Sequence, residues 1–482
     1  MLNIGRMAPG GHDYYLEVVA RGVEDYYLAR GEAPGRWLGG GADRLGLDGR
    51  VEGAELAAVL AGDHPSTGDR LAAHPARRVP GFDLTFRAPK SVSLLWALAD
   101  DRHLAEEVRE AHDAAVAAAV AYLEREAGWT RRGAGGAEAV KVEGLVGAAF
   151  RHRTSRAGDP LLHTHVLVAN LARAVDDGIW RTLDSRRLYA HAKTAGTLYQ
   201  AHLRYELTRR LGVSFTEVTN GYADLADVPR DWIDAFSQRR AQIMEHMAER
   251  GEGSAKAAQV ATLATRTAKE EQPSERELRD RWATRATELG IDRGWWRSLL
   301  HRQRIEPEDV EALYRELVAE EALTEQSSSF ALRNVVQAVA ARLPAGADAA
   351  RVVEIAEAIL AHDPDQVLAL GTPRGRLRTV DVIRRRDGTV VAADAEEPRF
   401  TTRGLLLTEQ RTVHRATQRR HDQLAAVTDP TLPELLSAEQ AAMVRQLTTS
   451  GAGVEVVVGR AGPARPSRWT PPGRSGRTPA ST

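Results

Sequence analysis

The run Leu161-Leu162-His163-Thr164-His165-Val166-Leu167-Val168 is apolar apart from two histidines and the threonine between them. On a β-strand, residues i and i+2 share a face, so the imidazoles of His163 and His165 converge on one side of whatever sheet forms. His152 stands just upstream, at the end of a second apolar stretch from Val140 to Phe150 that can pair alongside and bring a third nitrogen. A lone histidine in an apolar strand is most often a satisfied core residue. Two on one face are costly to bury without partners. Three neutral imidazoles with coordination positions left open describe a catalytic metal site better than a closed structural one.

Two tyrosine pairs near the start, Tyr14-Tyr15 and Tyr26-Tyr27, widen the reading. Taken alone, such pairs on a helix are core aromatics with one exposed edge. Beside a metal, they suggest phosphodiester chemistry with a tyrosine nucleophile. Asp83 is the only carboxylate in the alternating strand Gly81 to Phe86. If buried it needs a partner, which the second nitrogen of a ligand histidine would supply; on an edge strand it would simply face water.

A length of 482 residues allows two or three domains. No cysteine is present, which excludes disulfides and thiolate metal sites. The net charge of -1 favours no partner, but from Arg131 to Gly212 there are 14 Lys and Arg against seven Asp and Glu, either a strand-neutralising surface or a solvated basic face. Met1 to Tyr15 has no signal-peptide core, and Ala114 to Ala121 is too short to span a bilayer, so no membrane insertion and a cytoplasmic location are expected.

Periodicity predicts a helix over 13–30 carrying the tyrosines, a mobile Gly-rich connection from Gly31 to Gly53, and a turn at Arg87–Ser91 followed by the apolar run Val92 to Leu98. It predicts a long helix from Leu104 to Ala127 ended by Gly128, strands near 140–150 and 162–172, and a hairpin through Asp176-Asp177-Gly178. A helix over 186–211 ends at Gly212. Beyond Gly221 polar helices follow, with a charged tract from about 250 to 293 where the first domain is placed to end. Residues 300–361 read as helical with a turn at Pro344–Ala350, Val380 to Ala392 as a β-hairpin, and Val454 to Val458 as a buried strand after a helix. Pro463 to Thr482 has the composition of a disordered tail.

Together, Tyr14-Tyr15 with Tyr26-Tyr27, Asp83-Leu84-Thr85-Phe86 running into Ala88-Pro89-Lys90-Ser91-Val92-Ser93, and Phe150-Arg151-His152-Arg153-Thr154-Ser155 followed by His163-Thr164-His165 resemble the MobF (TrwC/TraI-type) conjugative relaxases of the HUH endonuclease superfamily. The resemblance spans about residues 1–293. It implies an α+β domain of the palm-and-fingers type, with an antiparallel sheet carrying the histidines and Asp83, helices behind, the tyrosine helix folded over the metal, and helices near 225–290 closing over DNA. It also implies site- and strand-specific nicking and rejoining of single-stranded DNA at a plasmid origin of transfer, through a 5′-phosphotyrosyl intermediate. Tyr14 would be the leading nucleophile and Tyr26 would perform a second transfer, while Tyr15 and Tyr27 substitute or pack. His152, His163 and His165 would hold one divalent ion (Mg, Mn, Zn or Ni), and Asp83 would orient a metal-binding histidine or accept the tyrosine proton. Lys90, Arg151 and Arg153 would contact phosphates. Implied partners are the single-stranded or hairpin origin DNA, a coupling protein and accessory proteins of the nicking complex. Alternatives are a rolling-circle replication initiator of the same chemistry, an inactive DNA-binding remnant, and a three-histidine zinc hydrolase, which leaves the tyrosines unexplained.

From about 294 to 462 the chain resembles the beginning of a RecD-like superfamily 1 helicase, with Gln440 at the adenine-contacting position and Gly459 to Gly462 opening a phosphate-binding loop. Where Gly-Lys-Thr must follow, the sequence reads Pro463-Ala464-Arg465-Pro466, so the phosphate-gripping lysine and the Mg²⁺-binding hydroxyl are missing. Codons for Pro463 to Thr470 exist that, with one added A and a shifted frame, spell Thr-Gly-Lys-Thr-Phe-Ala-Leu-Asp. A one-nucleotide loss is therefore expected to have produced residues 463–482. Helicase activity is not expected, and residues 300–462 are expected to fold only in part.

Overall fold

A computed structural model describes residues 2–7, 35–72, 79–133, 136, 138–249, 274–319, 322–371, 397–422 and 436–457, with positions 383–384, 390–391, 427 and 432. The predicted tyrosine helix at 13–30, Gly459, Gly462 and the tail at 463–482 lie outside the described residues. The chain divides into two compact units, Met1–Arg403 and Gly404–Thr482.

The first unit is built on a five-stranded sheet in the order β1-β3-β7-β6-β2: β1 Leu2–Arg6, β3 Gly81–Arg87, β7 Pro160–Ala169, β6 Gly147–Thr154 and β2 Arg36–Leu38. Every neighbouring pair is antiparallel. Alternation along the strands divides their side chains between two cores. Phe82, Leu84 and Phe86 of β3 and Leu162, Val166 and Val168 of β7 face the larger core. Leu167 and Ala169 of β7, Ala148 and Phe150 of β6, and Val146 just before β6 face the smaller one. Each of the buried Val, Leu and Phe side chains among these stabilises the fold by about 1.5–3 kcal/mol, and a slip of one residue would exchange the two faces.

Three helices of the chain's first half line the larger core. The short α3 (Lys90–Leu98) leads into α4 (Arg102–Ala127), whose first turn is capped by Asp101 through His103 N and Leu104 N. The buried stripe of α4 is rich in alanine (Ala105, Ala111, Ala115, Ala119), and small side chains let the long α5 (Ser185–Leu211) approach closely. Gly212 ends α5 in the left-handed conformation at φ 66°.

The smaller core is closed at one end by α1 (Gly40–Arg44) and α2 (Gly53–Ala61). This corrects the expected mobile connection at 31–53, whose described part holds a strand and a helix. The glycines serve close approach: a Cβ on Gly41 would lie 2.9 Å from Gly144 O, and Gly39 sits at φ 97°. Glu124 of α4 accepts from Gly40 N at 2.8 Å and from Leu145 N at 2.7 Å, pinning the turn.

The predicted strand at 140–150 is two strands, β5 (Glu138–Lys141, paired with β4 Trp129–Arg132) and β6, separated around Gly144. The predicted 162–172 strand likewise ends at Ala169, and β8 (Ala172–Arg173) pairs with β9 (Trp180–Arg181) as the hairpin expected through Asp176–Gly178. Beyond the sheet come α6 (Arg230–Ala235), α7 (Gln238–Glu249) and α8 (Glu275–Glu288).

Packing does not stop at residue 293. After a short helix α9 (Val310–Tyr314), helices α10 (Leu332–Ala341) and α11 (Ala349–His362) lie within the first unit, where Val335, Val336, Val339, Ala356 and Ile359 are buried. Arg204 of α5, only 2% exposed, donates to the carbonyls of Ala340, Leu343 and Pro344 at the end of α10. The small sheet β10 (Phe330–Ala331), β14 (Arg399–Thr402) and β11 (Val367–Leu370) completes this region. The two-residue strands β12 (Ile383–Arg384) and β13 (Val390–Val391) pair as the hairpin expected around residue 387. The described helices at 332–362 thus pack with the sheet domain, their apolar faces covered by α4 and α5, which corrects the expectation of partial folding for that stretch.

The second unit holds α12 (Arg403–Gln418), with no buried side chain, and α13 (Ala438–Thr449), begun by a Ser437 capping box. The expected buried strand at 454–458 is not formed: described residues 454–457 are irregular and Val456 is 80% exposed. Among the described residues, no helix is long and apolar enough to cross a membrane.

Candidate metal and DNA-processing centre

His163 and His165 project from β7 on the face of the smaller core, beyond the end closed by α1 and α2. His152 of β6 stands opposite His163 in the ladder, and His165 stands opposite Phe150 on one side and Thr85 on the other. The three rings form a nearly regular triangle, with centroid separations of 5.3 Å (His152–His163), 5.1 Å (His152–His165) and 5.2 Å (His163–His165). Three imidazoles bound to one ion at about 2.1 Å would have centroids about 5 Å apart.

Two of the rings have their outer nitrogen fixed. Nδ1 of His165 lies 2.8 and 2.9 Å from the carboxylate oxygens of Asp83. Nδ1 of His163 lies 2.9 Å from the carbonyl of Leu161. A carbonyl or carboxylate accepts, so Nδ1 donates in both, leaving each Nε2 lone pair for a ligand. Burial, the two neighbouring imidazoles and nearby Arg87 push the His163 pKa well below its usual value, which keeps it in the neutral, ligating form. Among the described residues, no three His, Asp or Glu side chains are already drawn in around a common bonding point. The rings of His152 and His163 lie 24° from parallel while His165 stands across both at 83° and 67°. Seating an ion requires ring rotation about χ2, a broad torsion for imidazoles, with the strands left where they are.

The predicted cations are each engaged elsewhere. Arg151 points to the opposite face, where it pairs with Asp113 of α4. Arg153 donates to Glu275 of α8 at 3.0 Å. Lys90 Nζ donates to the carbonyl of Pro160 at 2.6 Å, and burial brings its pKa down to about 8 against the opposing charge of Asp159. The basic excess of 131–212 is largely taken up within the fold: Arg131 and Arg186 pair with Asp184, Arg132 with Glu138, Arg173 with Glu143, Arg181 with Asp177, and Arg210 with Glu206. Tyr14, Tyr15, Tyr26 and Tyr27 lie outside the described residues. Gln440 serves α13, its Oε1 accepting from Ser437 N at 3.0 Å.

Sequence reasoning passed over several side chains that support the triad. Thr85 Oγ1 lies 3.3 Å from His165 Nδ1 and 3.4 Å from Asp83 Oδ1. Its place two residues after Asp83 was a usable signal, since both then share a face. Behind the sheet, His112 of α4 bridges Tyr199 Oη and Thr164 Oγ1, each at 2.8 Å, with no local sequence sign.

The comparisons with known proteins agree with this geometry. The family model described as TrwC relaxase matches residues 8–289. The chain belongs to the TrwC relaxase family. Among its relatives is the multifunctional conjugation protein TraI of Escherichia coli (strain K12), 34% identical over 307 residues; the matched stretch is 61% of this relaxase but 16% of that protein. This chain therefore corresponds to about a sixth of its relative's length. Among solved structures, TrwC complexed with a 27-mer DNA comprising the recognition hairpin and the cleavage site is 33% identical, with a TM-score of 0.52, over 61% of this chain and 99% of that one. The copper-bound structure of the conjugative relaxase TrwC in complex with origin-of-transfer DNA is 34% identical, with a TM-score of 0.54, over 61% and 99% of the respective chains. The antiparallel sheet with flanking helices is thus the relaxase fold.

Proposed function

We propose that this relaxase nicks and rejoins single-stranded DNA at an origin of transfer, with Tyr14 as first nucleophile, Tyr26 as second, and His152, His163 and His165 as ligands of one divalent cation. The observation that carries the proposal is the three-imidazole triangle backed by Asp83, on a sheet face to which both ends of the tyrosine-bearing segment are anchored. Met7 is buried in the smaller core and donates to Gly81 O at 3.0 Å. Gly35 packs so tightly on Phe150 that a Cβ there would lie 2.4 Å from the ring. Gly81 pairs with Ala169, four residues along β7 from His165, which at strand rise is about 13 Å. Tyr14 is seven residues past Met7, and seven residues reach up to about 25 Å. Tyr26 is nine residues before Gly35, which already sits beside the partner of His165. The length of chain between these anchors and Tyr14 or Tyr26 permits either tyrosine to reach the triad, which supports the reading.

In the proposed reaction the hydroxyl oxygen of Tyr14 attacks the scissile phosphorus; an O–P bond forms as the bond to the 3′ oxygen breaks, the phenolic proton passes to a base, and the leaving oxygen becomes a 3′ hydroxyl. Phenol has a pKa near 10, so the attack needs the phosphate charge offset. A divalent cation supplies that charge when bound. With both Asp83 oxygens turned to His165, its support is strongest as the group that orients a ligand and fixes its tautomer, rather than as the proton acceptor. Zinc, nickel and manganese suit a nitrogen set better than magnesium. A coupling protein, accessory proteins of the nicking complex and a cytoplasmic setting belong to the same proposal. With the phosphate-binding loop broken at Pro463, it includes no ATP-driven unwinding.

The test is incubation of the full chain with single-stranded origin DNA and Mn²⁺, resolved on a denaturing gel. A covalent protein–DNA product is expected, lost in Tyr14→Phe with DNA binding retained. DNA retardation without any covalent product would reduce the chain to a binding remnant and sink the proposal.

A further inference from the structure

Two of the triad histidines stand where the sheet ends. β3 pairs with β7 no further than Arg87 opposite His163. The β6–β7 ladder is regular to His152 opposite His163, then bulges before Thr154 opposite Pro160. The tip of this hairpin, residues 155–159, is fixed by side chains from elsewhere. Lys90 and Ser93 of α3 hold its β7 arm, through Pro160 O at 2.6 Å and Leu162 N at 3.1 Å. Arg153 reaches Glu275 of α8, and Trp282 of the same helix donates its indole N–H to Gly158 O at 2.8 Å. Asp159, 2% exposed, accepts from Gln238 N and from Gln238 Nε2, both at 2.8 Å. It thereby caps the first turn of α7 and ties that helix to the tip. A buried carboxylate is costly to leave unmatched, so this clamp is strongly specified.

We infer that Asp159 is a positioning residue for the metal centre: by locking the hairpin tip to α7 it sets how closely His152 and His163 approach each other at the hairpin's last regular pair. The inference rests on the metal reading proposed above and adds a residue outside the triad. Without the clamp the tip is no longer tied to α7 and keeps only the bonds from Lys90, Ser93, Arg153 and Trp282, so the spacing of the two ligands on its arms is less tightly fixed.

The experiment uses the full chain and measures Mn²⁺ affinity by calorimetry, Co²⁺ coordination by visible absorption, and stability by urea unfolding. Asp159→Ala is expected to weaken Mn²⁺ binding roughly tenfold and to alter the Co²⁺ spectrum, while still unfolding in one cooperative step. Asp159→Asn keeps an acceptor for Gln238 N and should restore most of the affinity. Trp282→Phe removes the N–H bonded to Gly158 together with part of the buried ring packed against Trp96, and should weaken binding about threefold; it decides the matter if Asp159→Ala does not fold. Wild-type affinity and spectrum in a folded Asp159→Ala, or in Trp282→Phe where the alanine variant fails to fold, overturn the inference and leave the metal site standing. A wild-type chain with no stoichiometric ion that His163→Ala removes would overturn both.

Discussion

His152 stands directly opposite His163, and His163 is also the last residue of β7 that β3 pairs with, through Arg87. The triad is therefore positioned by register: the alternation that sends Leu162, Val166 and Val168 toward the helices leaves residues 163 and 165 on the other face. A one-residue slip would turn both histidines into the larger core and its leucines outward, so the same burial that stabilises the sheet also selects the site.

Asp83 sits diagonally across the β3–β7 ladder from His165, with both carboxylate oxygens within 2.9 Å of Nδ1. Asp83→Ala is expected to weaken metal binding about 10–100-fold. Asp83→Asn, which retains an acceptor but not the charge, should fall between the two. Competition with a chelator measures both. Equal affinity in all three chains would detach Asp83 from the site.

Most of this was legible in the chain. The helix at α4, the Gly212 stop and the histidine-bearing strand follow from periodicities of 3.6 and 2. The sequence could not reveal which basic residues stay free: Arg151 and Arg153 lie in a stretch with excess positive charge, but their partners Asp113 and Glu275 come from distant helices. Nor could it show that glycines 39–41 serve close packing against Gly144 and Leu145 rather than movement, since the same residue type permits both. The packing of 332–362 was hidden for the same reason. An apolar helix face announces burial without naming the surface that covers it.

Two buried histidines make stability depend on pH. His112, between Tyr199 and Thr164, is held down to about 3 by burial and nearby Arg151. His191, bonded to Tyr122 at 2.9 Å, is held to about 4 by burial and Arg333. Unfolded histidine titrates near 6.5, so below that pH the unfolded chain binds protons that the folded chain refuses. Their contribution is fully present above pH 6.5 and is lost as pH falls toward 3–4. At pH 5 each should cost about 2 kcal/mol relative to pH 7.5. Urea midpoints at the two pH values, compared with those of His191→Gln, isolate one of them. An identical pH response in the variant would contradict the assignment.

Arg204 joins the relaxase-matched core to the helices that follow it. Its guanidinium, brought down to about 10 by burial, stays charged at neutral pH and meets the carbonyls of Ala340, Leu343 and Pro344, of which that of Leu343 also accepts from Gly346 N at 2.9 Å. Arg204→Ala strips those carbonyls of the guanidinium and opens a cavity, so a loss of about 3–5 kcal/mol is expected. Arg204→Met also removes the bonds but fills the space, and should lose about 1–3 kcal/mol. Because the residue lies on α5, which also carries Tyr199 beneath the triad strand, the sheet and α10–α11 should unfold in one transition in the parent chain. Urea denaturation followed by circular dichroism tests this. An early, separate transition that Arg204→Ala leaves untouched would mean that residues 332–362 are held by something other than this arginine.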